Sequence, residues 1–565
     1  MNKGSPATEI DAVTLQIIRS HLISVVDEME ANINRTAYSP IVYEVKDYCA
    51  ALLDDEGRII AQARGGMPIF LSDMGAPVKA GIAAFGKDGF SPGDVVLNNH
   101  PYTTGQHLNN MVAFSPIYVA EKLVGFAAVR AHWSDIGGSV PGSFSTNSVD
   151  IYSEGLIFNC IKVVRGGKED LEIMRFINDN TRFARETFGD LRSQVAACRI
   201  GERRLQALVG RYGQERVFDA IHALWKRSEE HARRQLSQLR DGVYSAQMFL
   251  DDDGTNNDPV HIRVRVEIAG DEMTVDLSES SPQVGGNINC GESAAVSAVR
   301  VAFKSFTAPD IPADEGSFVP LKVIVPPGRF LSAQRPAAMT QWSAAVPPLV
   351  DTVLLALSQA DPDRVPAEHH GSLGPYIWVG PRADGRPFVH IDTCSGGWGA
   401  SKGRDGGVGL KTVMHGDTFN VAIEIEEAMF PLRVESYELL PDTGGAGQWR
   451  GGNASARTYR TLMDLELNFA FERSKCPPWG SQGGHAGTHN HLVLFHPDGS
   501  FRAKLQKGTL VKLPTGTRAV MISGSGGGYG DPRTRDRAAV ARDLVDGYVT
   551  PTVAESVYGY KQAGE

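Results

Sequence analysis

The sequence predicts an α+β, multidomain protein in which an amino-terminal region of mixed α/β structure precedes β-rich units. Its 565 residues exceed the size at which one hydrophobic core usually stops growing, so we expect several packed units. Apolar residues recur at three- to four-residue spacing near the amino terminus, whereas short alternating segments dominate after residue 248. Clusters of glycine interrupt further strand-like segments toward the carboxy terminus.

The first elements are a helix, a hairpin and two strands. Residues 11–33 carry apolar side chains along one face of a helix. Residues 48–53 and 58–62 are apolar runs joined by an Asp-Glu-Gly turn, which predicts a β-hairpin. A Pro-Gly turn introduces a strand at residues 95–97, and the apolar run at residues 123–129 indicates a buried strand.

The later elements divide the chain into three predicted domains. Residues 176–239 are rich in Arg, Glu, Ala and Leu and predict one or two long helices. Residues 260–266 and 273–277 alternate as antiparallel strands do. We therefore predict an amino-terminal domain with a helical segment, a β-rich middle domain and a glycine-rich β domain, at residues 1–245, 246–440 and 441–565.

Composition excludes several classes of protein. The 66 acidic and 56 basic residues give a formal net charge of −10, so we expect no nucleic-acid partner. No segment approaches the roughly 20 apolar residues that span a bilayer, and the amino terminus lacks the apolar stretch of a signal peptide. Six dispersed cysteines form no Cys-x-x-Cys pair and predict reduced thiols. These observations predict a cytoplasmic protein with no membrane attachment.

The most informative segment follows the predicted strand at residues 123–129. It delivers His132 and Asp135 into a glycine-rich loop, where side chains held by a rigid strand can face a cavity. In one interpretation the two side chains share a ligand. In the other, His132 is hydrogen-bonded beneath a turn and Asp135 caps nearby backbone amides. The local sequence leaves both interpretations open.

Short motifs occur in a fixed order along nearly the whole chain. The amino-terminal ones are TAYSP (36–40), DYCA (47–50), GDV (93–95), PYTTGQHL (101–108) and HWSDIGG (132–138). The later ones are DDDG (251–254), IPADEG (311–316), PLRVE (431–435), PDTGGAG (441–447), PPWG (477–480) and GGGYGDP (526–532). This succession resembles the hydantoinase B/oxoprolinase family.

The resemblance implies one subunit of an ATP-dependent enzyme complex. In such complexes a partner of the hydantoinase A type binds ATP with Mg and phosphorylates an oxygen of the substrate, which makes an amide or an enol reactive. This chain has no Gly-x-x-x-x-Gly-Lys-Ser/Thr loop, so ATP chemistry is expected on the partner. Our first hypothesis is a hetero-oligomeric hydrolase that opens a cyclic amide such as a hydantoin or a lactam.

Two alternative functions remain open. One is a subunit of an ATP-dependent ketone carboxylase of the acetophenone or acetone carboxylase type, in which the same region would stabilise an enolate. The segment EEAMFPL at residues 426–432 resembles the general hydantoinase B type and favours ring opening. The other is a non-catalytic scaffold that completes the partner's binding cleft.

The resemblance also implies a divalent metal in the amino-terminal region, bound by Asp47, His107, His132 and Asp135. Two imidazoles and two carboxylates suit Zn, Mn or Fe, whereas Ca and Mg prefer oxygen ligands alone. A water molecule on such a metal would be activated to attack the phosphorylated amide. His100 and Asp135 are the expected catalytic residues, with His100 acting as a base or as the partner of a metal ligand.

Three positions depart from the family's pattern. His100 stands where many relatives have Asp, Asn110 stands where they have an acidic residue, and Phe70 stands where they have His. These differences predict either a different substrate pocket or a general base on another side chain.

Overall fold

A seven-stranded antiparallel sheet organises the amino-terminal half of the computed structural model, which describes residues 10–70, 73–416 and 418–561. Its strands are β1 (Tyr48–Asp54), β2 (Ile59–Gln62), β3 (Val95–Asn98), β4 (Asn110–Val119), β5 (Lys122–His132), β6 (Ile161–Arg165) and β7 (Lys168–Glu169). In space they follow the order β2-β1-β5-β4-β3-β6-β7. The central strands β1, β5 and β4 are therefore neighbours.

Helices cover this sheet and link it to the rest of the chain. They are α1 (Ala12–Thr36), α2 (Pro40–Tyr43), α3 (Gly75–Phe85), α4 (Pro101–Thr104), α5 (Leu171–Asn180), α6 (Ala184–Tyr212), α7 (Gln214–Leu236), α8 (Glu292–Thr307), α9 (Trp342–Leu357), α10 (Ile423–Met429), α11 (Arg537–Val545) and α12 (Pro551–Ser556). On one face of the sheet, Val26 and Met29 of α1 share a core with Leu52 and Val129. None of these helices is long and apolar enough to cross a membrane within the described residues.

A second sheet packs on the opposite face through α8 and α9. Its strands are β8 (Gly242–Leu250), β9 (Val260–Ala269), β10 (Glu272–Asp276) and β11 (Leu321–Ile324), in the spatial order β11-β10-β9-β8. One continuous core contains Phe114 and Phe126 of the first sheet, Phe303 of α8 and Val350 of α9. The first two sheets are therefore joined by a shared hydrophobic core.

The two long helices α8 and α9 were not expected in a β-rich middle region. Helix α9 is buried over most of its surface, so its apolar residues lack the one-sided pattern that marks an amphipathic helix. It also contains Pro347 and Pro348, residues that normally end a helix. The sequence pattern therefore concealed it.

The carboxy-terminal half contains two further antiparallel sheets. Their strands are β12 (Pro375–Pro381), β13 (Pro387–Thr393), β14 (Leu432–Leu439), β15 (Ser455–Thr461), β16 (Leu465–Ala470), β17 (His491–Phe495), β18 (Phe501–Leu505), β19 (Lys507–Leu513) and β20 (Arg518–Ile522). The third sheet has the order β13-β12-β16-β19 and the fourth has the order β14-β15-β20-β17-β18. Trp378 and Phe469 of the third sheet share a core with Tyr459 and Met521 of the fourth.

Glycine-rich segments pack backbone against backbone at one end of these two sheets. Gly451 donates to the carbonyl oxygen of Gly445 at 2.9 Å, and Gly526 donates to that of Gly452 at 2.9 Å. Gly452 in turn donates to Trp398 at 2.8 Å. Because the chains approach this closely, the hydrogen bonds between main-chain atoms replace side-chain packing here.

Most elements expected from the sequence are present. The helix expected at residues 11–33 is α1, the hairpin is β1–β2, and the long helical region contains α6 and α7. The expected strands correspond to β3, β5, β9 and β10. The α+β, multidomain class is confirmed, whereas the borders of the three domains stay a prediction.

Gly452→Ala is expected to destabilise the protein by about 2 kcal/mol or more, because a Cβ there would meet the carbonyl oxygen of Gly407. Gly210→Ala is the matched control, since Gly210 lies in α6 and a Cβ there would meet nothing within 4 Å outside its own helix. Alanine in that helix should stabilise by roughly 0.5–1 kcal/mol. Denaturant unfolding of both variants measures the difference, and equal stabilities would contradict the close packing at Gly452.

Candidate functional site

A small cavity lies where the first sheet, the start of α9 and the third sheet meet. Its volume is about 50 Å³. The first sheet contributes polar side chains, whereas the other two walls are mainly apolar. The residues that matter most to its chemistry are Asp47, Phe70, His107, Asn110, His132, Gly142, Phe144, Trp342, Ser343, Ile377, Ile391, Thr393 and His415.

The polar wall is built by the ends of three neighbouring strands. Asp47 immediately precedes β1, His132 is the last residue of β5, and Asn110 is the first residue of β4. Asn110 pairs with His132 across β4 and β5, and the His132 N–H donates to the Asp47 carbonyl oxygen at 3.1 Å. His107 lies in the turn that leads into β4. Strand pairing therefore brings Asp47, His107 and His132 to one edge of the sheet.

These three side chains present unpaired polar atoms inside the protein. Among the described residues, Asp47 Oδ1, His107 Nδ1 and His132 Nδ1 are buried without a hydrogen-bond partner. The two imidazole rings meet edge to face with their centroids 4.9 Å apart. A buried polar atom without a partner costs about 1–3 kcal/mol, so three together indicate a site for a ligand that is able to pair with them.

Burial sets the charge of the three groups. It raises the pKa of Asp47 to about 7, although Arg130 opposes that shift. It lowers the pKa of His107 to about 4. The pKa of His132 lies well below the usual value, first because the ring is buried and second because His107 is beside it. Both imidazoles are therefore neutral at pH 7, which leaves a nitrogen lone pair on each.

Asp135 does not join this group. Its carboxylate accepts hydrogen bonds from the backbone amides of Gly137 and Gly142 and from Arg182, whose Nη1 lies 2.9 Å from Oδ1. It is fully buried and does not line the cavity. Asp135 thus caps backbone amides, as in the second of the two interpretations of this segment. By doing so it fixes the loop that carries Gly142 and Phe144 into the cavity wall.

His100 also lies apart from the cavity lining. It precedes α4, and its Nδ1 is 3.1 Å from the Thr103 hydroxyl of the next turn. Burial lowers its pKa, and the nearby Arg335 adds to that effect. Of the three positions that depart from the family's pattern, Phe70 and Asn110 line the cavity and His100 does not.

A buried chain of hydrogen bonds supports the polar wall. Arg130 lies two residues before His132 on β5, so both side chains are on the same face of the sheet. Its guanidinium lies 4.8 Å from the centre of the Phe70 ring and donates through Nη1 to Asp73 at 2.7 Å. Gln106 donates to the same carboxylate at 2.6 Å and accepts from Asn110 Nδ2 at 2.7 Å. The position of Asn110 in the cavity wall is therefore fixed from behind.

Sequence reasoning missed the residues that come from later in the chain. Trp342 lies at the first turn of α9, with its ring 5.9 Å from that of His107. Thr393 ends β13, and His415 follows in a loop where its Nδ1 is 2.6 Å from the Thr412 hydroxyl. Burial lowers the pKa of His415 to about 3. No local motif marks these positions, since only the tertiary fold brings them to the cavity.

Among the described residues, three possible metal ligands whose donor atoms lie close together are found behind the third sheet. Donor atoms of His390, Asp392 and Glu426 all fall within 4.8 Å of one another. However, Arg457 donates to Asp392 at 2.9 Å and to Glu426 at 2.5 Å, and His390 Nε2 lies 2.6 Å from Glu426. The guanidinium already supplies the positive charge that these carboxylates need, so the cluster is a buried ion-pair network of the core.

Comparisons with known proteins agree with this architecture. The sequence matches the family described as hydantoinase B/oxoprolinase over residues 11–532. It is 31% identical to the B-type subunit of a putative D-/L-hydantoinase from Pseudomonas sp. (strain NS671), over 98% of this chain and 95% of that protein.

Two solved structures share the fold. The crystal structure of ATP-dependent caprolactamase from Pseudomonas jessenii superposes with a TM-score of 0.92 and 29% identity, over 99% of this chain and 97% of that chain. A nucleotide-free structure of acetone carboxylase superposes with a TM-score of 0.87 and 19% identity, over 98% of this chain and 80% of that chain. Because the family match and these alignments extend along nearly its full length, the chain belongs to the hydantoinase B/oxoprolinase family.

Proposed function

We propose that this chain is one subunit of an ATP-dependent hydrolase that opens a cyclic amide, such as a hydantoin or a lactam. The observation that carries the proposal is the cavity in which Asp47, His107 and His132 present unpaired donor atoms. Similarity to a chain of a hydantoinase and to an ATP-dependent caprolactamase directs the proposal toward cyclic amides.

Asp47, His107 and His132 have the chemistry of a site for Zn, Mn or Fe. One carboxylate and two neutral imidazoles are common ligands of these ions, and each of the three side chains has a buried atom without a hydrogen-bond partner. A metal bound there would act as a Lewis acid and lower the pKa of a water molecule. We leave Asp135 out of the ligand set because Arg182 and backbone amides already occupy its oxygens.

The remaining residues of the cavity would hold the substrate and exclude bulk water. Phe144, Trp342 and Ile377 form apolar walls that suit the methylene groups of a small ring. Asn110, held by Gln106, offers an amide group that is able to hydrogen-bond an amide of the substrate. Asp135 acts through the loop it fixes and is therefore a positioning residue.

We assign ATP binding and phosphorylation of the substrate oxygen to a partner subunit of the hydantoinase A type, with Mg accompanying the nucleotide. The hydantoinase relative is named as one subunit of its enzyme, which supports a hetero-oligomer. The lack of a Gly-x-x-x-x-Gly-Lys-Ser/Thr loop in this sequence agrees with that division of labour. We place the complex in the cytoplasm.

Asp47→Asn and His132→Ala are each expected to lower the transition-metal content of the purified complex by about tenfold or more, because each removes one of three donors. Elemental analysis by mass spectrometry measures the content per chain after dialysis. His100→Ala is the control and should retain the metal, since His100 does not line the cavity. Full metal content in both test variants would contradict this ligand set.

The complex of this chain with its partner is expected to open a hydantoin or a lactam with consumption of ATP and without bicarbonate. Product formation by mass spectrometry and release of phosphate, measured together, test this coupling. His132→Ala should abolish ring opening, and unchanged turnover in that variant would instead favour the scaffold alternative. Strict dependence on bicarbonate, with no hydrolysis of any cyclic amide, would favour the ketone carboxylase.

A further inference from the structure

A buried lysine reaches the cavity through a single threonine. Lys411 is 4% exposed, and its Nζ donates to both the carbonyl oxygen of Thr393 at 2.9 Å and the Thr393 hydroxyl at 2.8 Å. Lysine is seldom buried without an ion-pair partner. Within the part of the chain that the structure describes, both hydrogen bonds of its ammonium group go to Thr393, and no carboxylate forms a salt bridge with it.

The direction of this hydrogen bond determines where the threonine proton points. An ammonium group has donors and no acceptor, so the Thr393 oxygen must accept from Lys411. The Thr393 O–H is then left to donate elsewhere, and no acceptor for it is found among the described residues. Thr393 lines the cavity together with Asp47, His107 and His132. Its hydroxyl is therefore able to donate to a molecule bound there.

The surroundings of Lys411 make its proton easy to give up. Burial lowers the pKa of Lys411 to about 8, with Asp392 and Cys394 opposing that shift and Arg457 adding to it. His370 and His415 also lie near enough to feel its charge. Asp392 is itself neutralised by Arg457 at 2.9 Å. The lysine is thus protonated near neutral pH in surroundings with little negative charge to hold that proton.

Hydrolysis of a cyclic amide needs a proton donor. When the carbon–nitrogen bond breaks, its electron pair goes to nitrogen, which must gain a proton because a free amide ion is a very poor leaving group. His415 lines the same cavity but is a neutral imidazole at pH 7, since its pKa is about 3, and therefore lacks the acidic proton of an imidazolium. A donor is therefore required from another group in the wall.

We propose that Thr393 is a catalytic residue that donates its hydroxyl proton to the leaving ring nitrogen, and that Lys411 replaces this proton. The inference rests on the proposed cyclic amide hydrolase. In the balanced step, the carbon–nitrogen bond breaks, nitrogen takes the Thr393 proton, and Thr393 takes a proton from the Lys411 ammonium. The proton released by the water that attacks the carbon restores Lys411. The carbon keeps the phosphoryl oxygen as an acyl phosphate, and a second water cleaves that acyl phosphate to a carboxylate and inorganic phosphate. Lys411 does not touch the substrate in this scheme; it supplies the proton through Thr393.

The test uses the complete complex, assayed with a lactam and with a cyclic imide. Thr393→Val should lower kcat for the lactam by about 100-fold, whereas Thr393→Ser should restore most of it. The loss should be under about tenfold for the imide, because its more acidic nitrogen leaves with less need of a proton. Thr517→Val, at a fully buried threonine outside the cavity, is the matched control and should leave kcat unchanged.

The pH dependence provides a second, independent readout. Wild-type kcat for the lactam should fall as pH rises through about 8, because Lys411 then loses the proton that it supplies. Lys411→Met should remove this alkaline limb and lower kcat at pH 7, with KM changed little. This readout remains available if Thr393→Val fails to fold.

Three outcomes separate the inference from the function on which it rests. Equal losses of Thr393→Val on lactam and imide, or an alkaline limb that persists in Lys411→Met, would overturn the proton-donor role while ring opening by the wild type stands. A wild-type complex that opens no cyclic amide would overturn the proposed function and this inference together. A loss of kcat in Thr393→Val that is larger for the lactam than for the imide, together with removal of the alkaline limb in Lys411→Met, supports both the proton-donor role and the proposed function.

Discussion

The candidate site depends on the register of three antiparallel strands. Because side chains alternate between the two faces of a sheet, a slip of one residue between β4 and β5 would turn His132 away from Asn110. The same pairing sets Asp47 beside His132 through a backbone hydrogen bond. The hydrophobic cores on both faces hold that register, since each strand buries opposite sets of apolar side chains against α1 and against α8 and α9.

The part of the site that lies in one stretch of sheet could be predicted from the sequence. Asp47 and His132 stand at the ends of strands whose apolar runs are recognisable, and the family resemblance adds His107 to them. Asp135 shows the limit of this reasoning. A carboxylate in a glycine-rich loop suits both a ligand site and a set of backbone amides, and only the positions of Gly142 and Arg182 distinguish the two.

The remaining walls could not be predicted, because they depend on contacts between distant parts of the chain. Trp342 begins a helix that two prolines conceal, and Thr393 ends a strand of another sheet. Lys411 has no recognisable motif around it, although its position behind Thr393 determines which way a hydroxyl proton points. Spacing along the sequence carries no information about such pairs, since their separation in space is set by how the sheets pack.

The glycine segments at the end of the third and fourth sheets restrict how this protein is able to evolve. When a new side chain clashes with another side chain, a second substitution at the neighbour makes room for it. At Gly397 and Gly452 the neighbouring atoms are carbonyl oxygens, and every amino acid carries that group. No second-site substitution removes it. A substitution at the contacting residue therefore cannot rescue a side chain at these glycines, and any compensation has to come from added stability elsewhere in the fold.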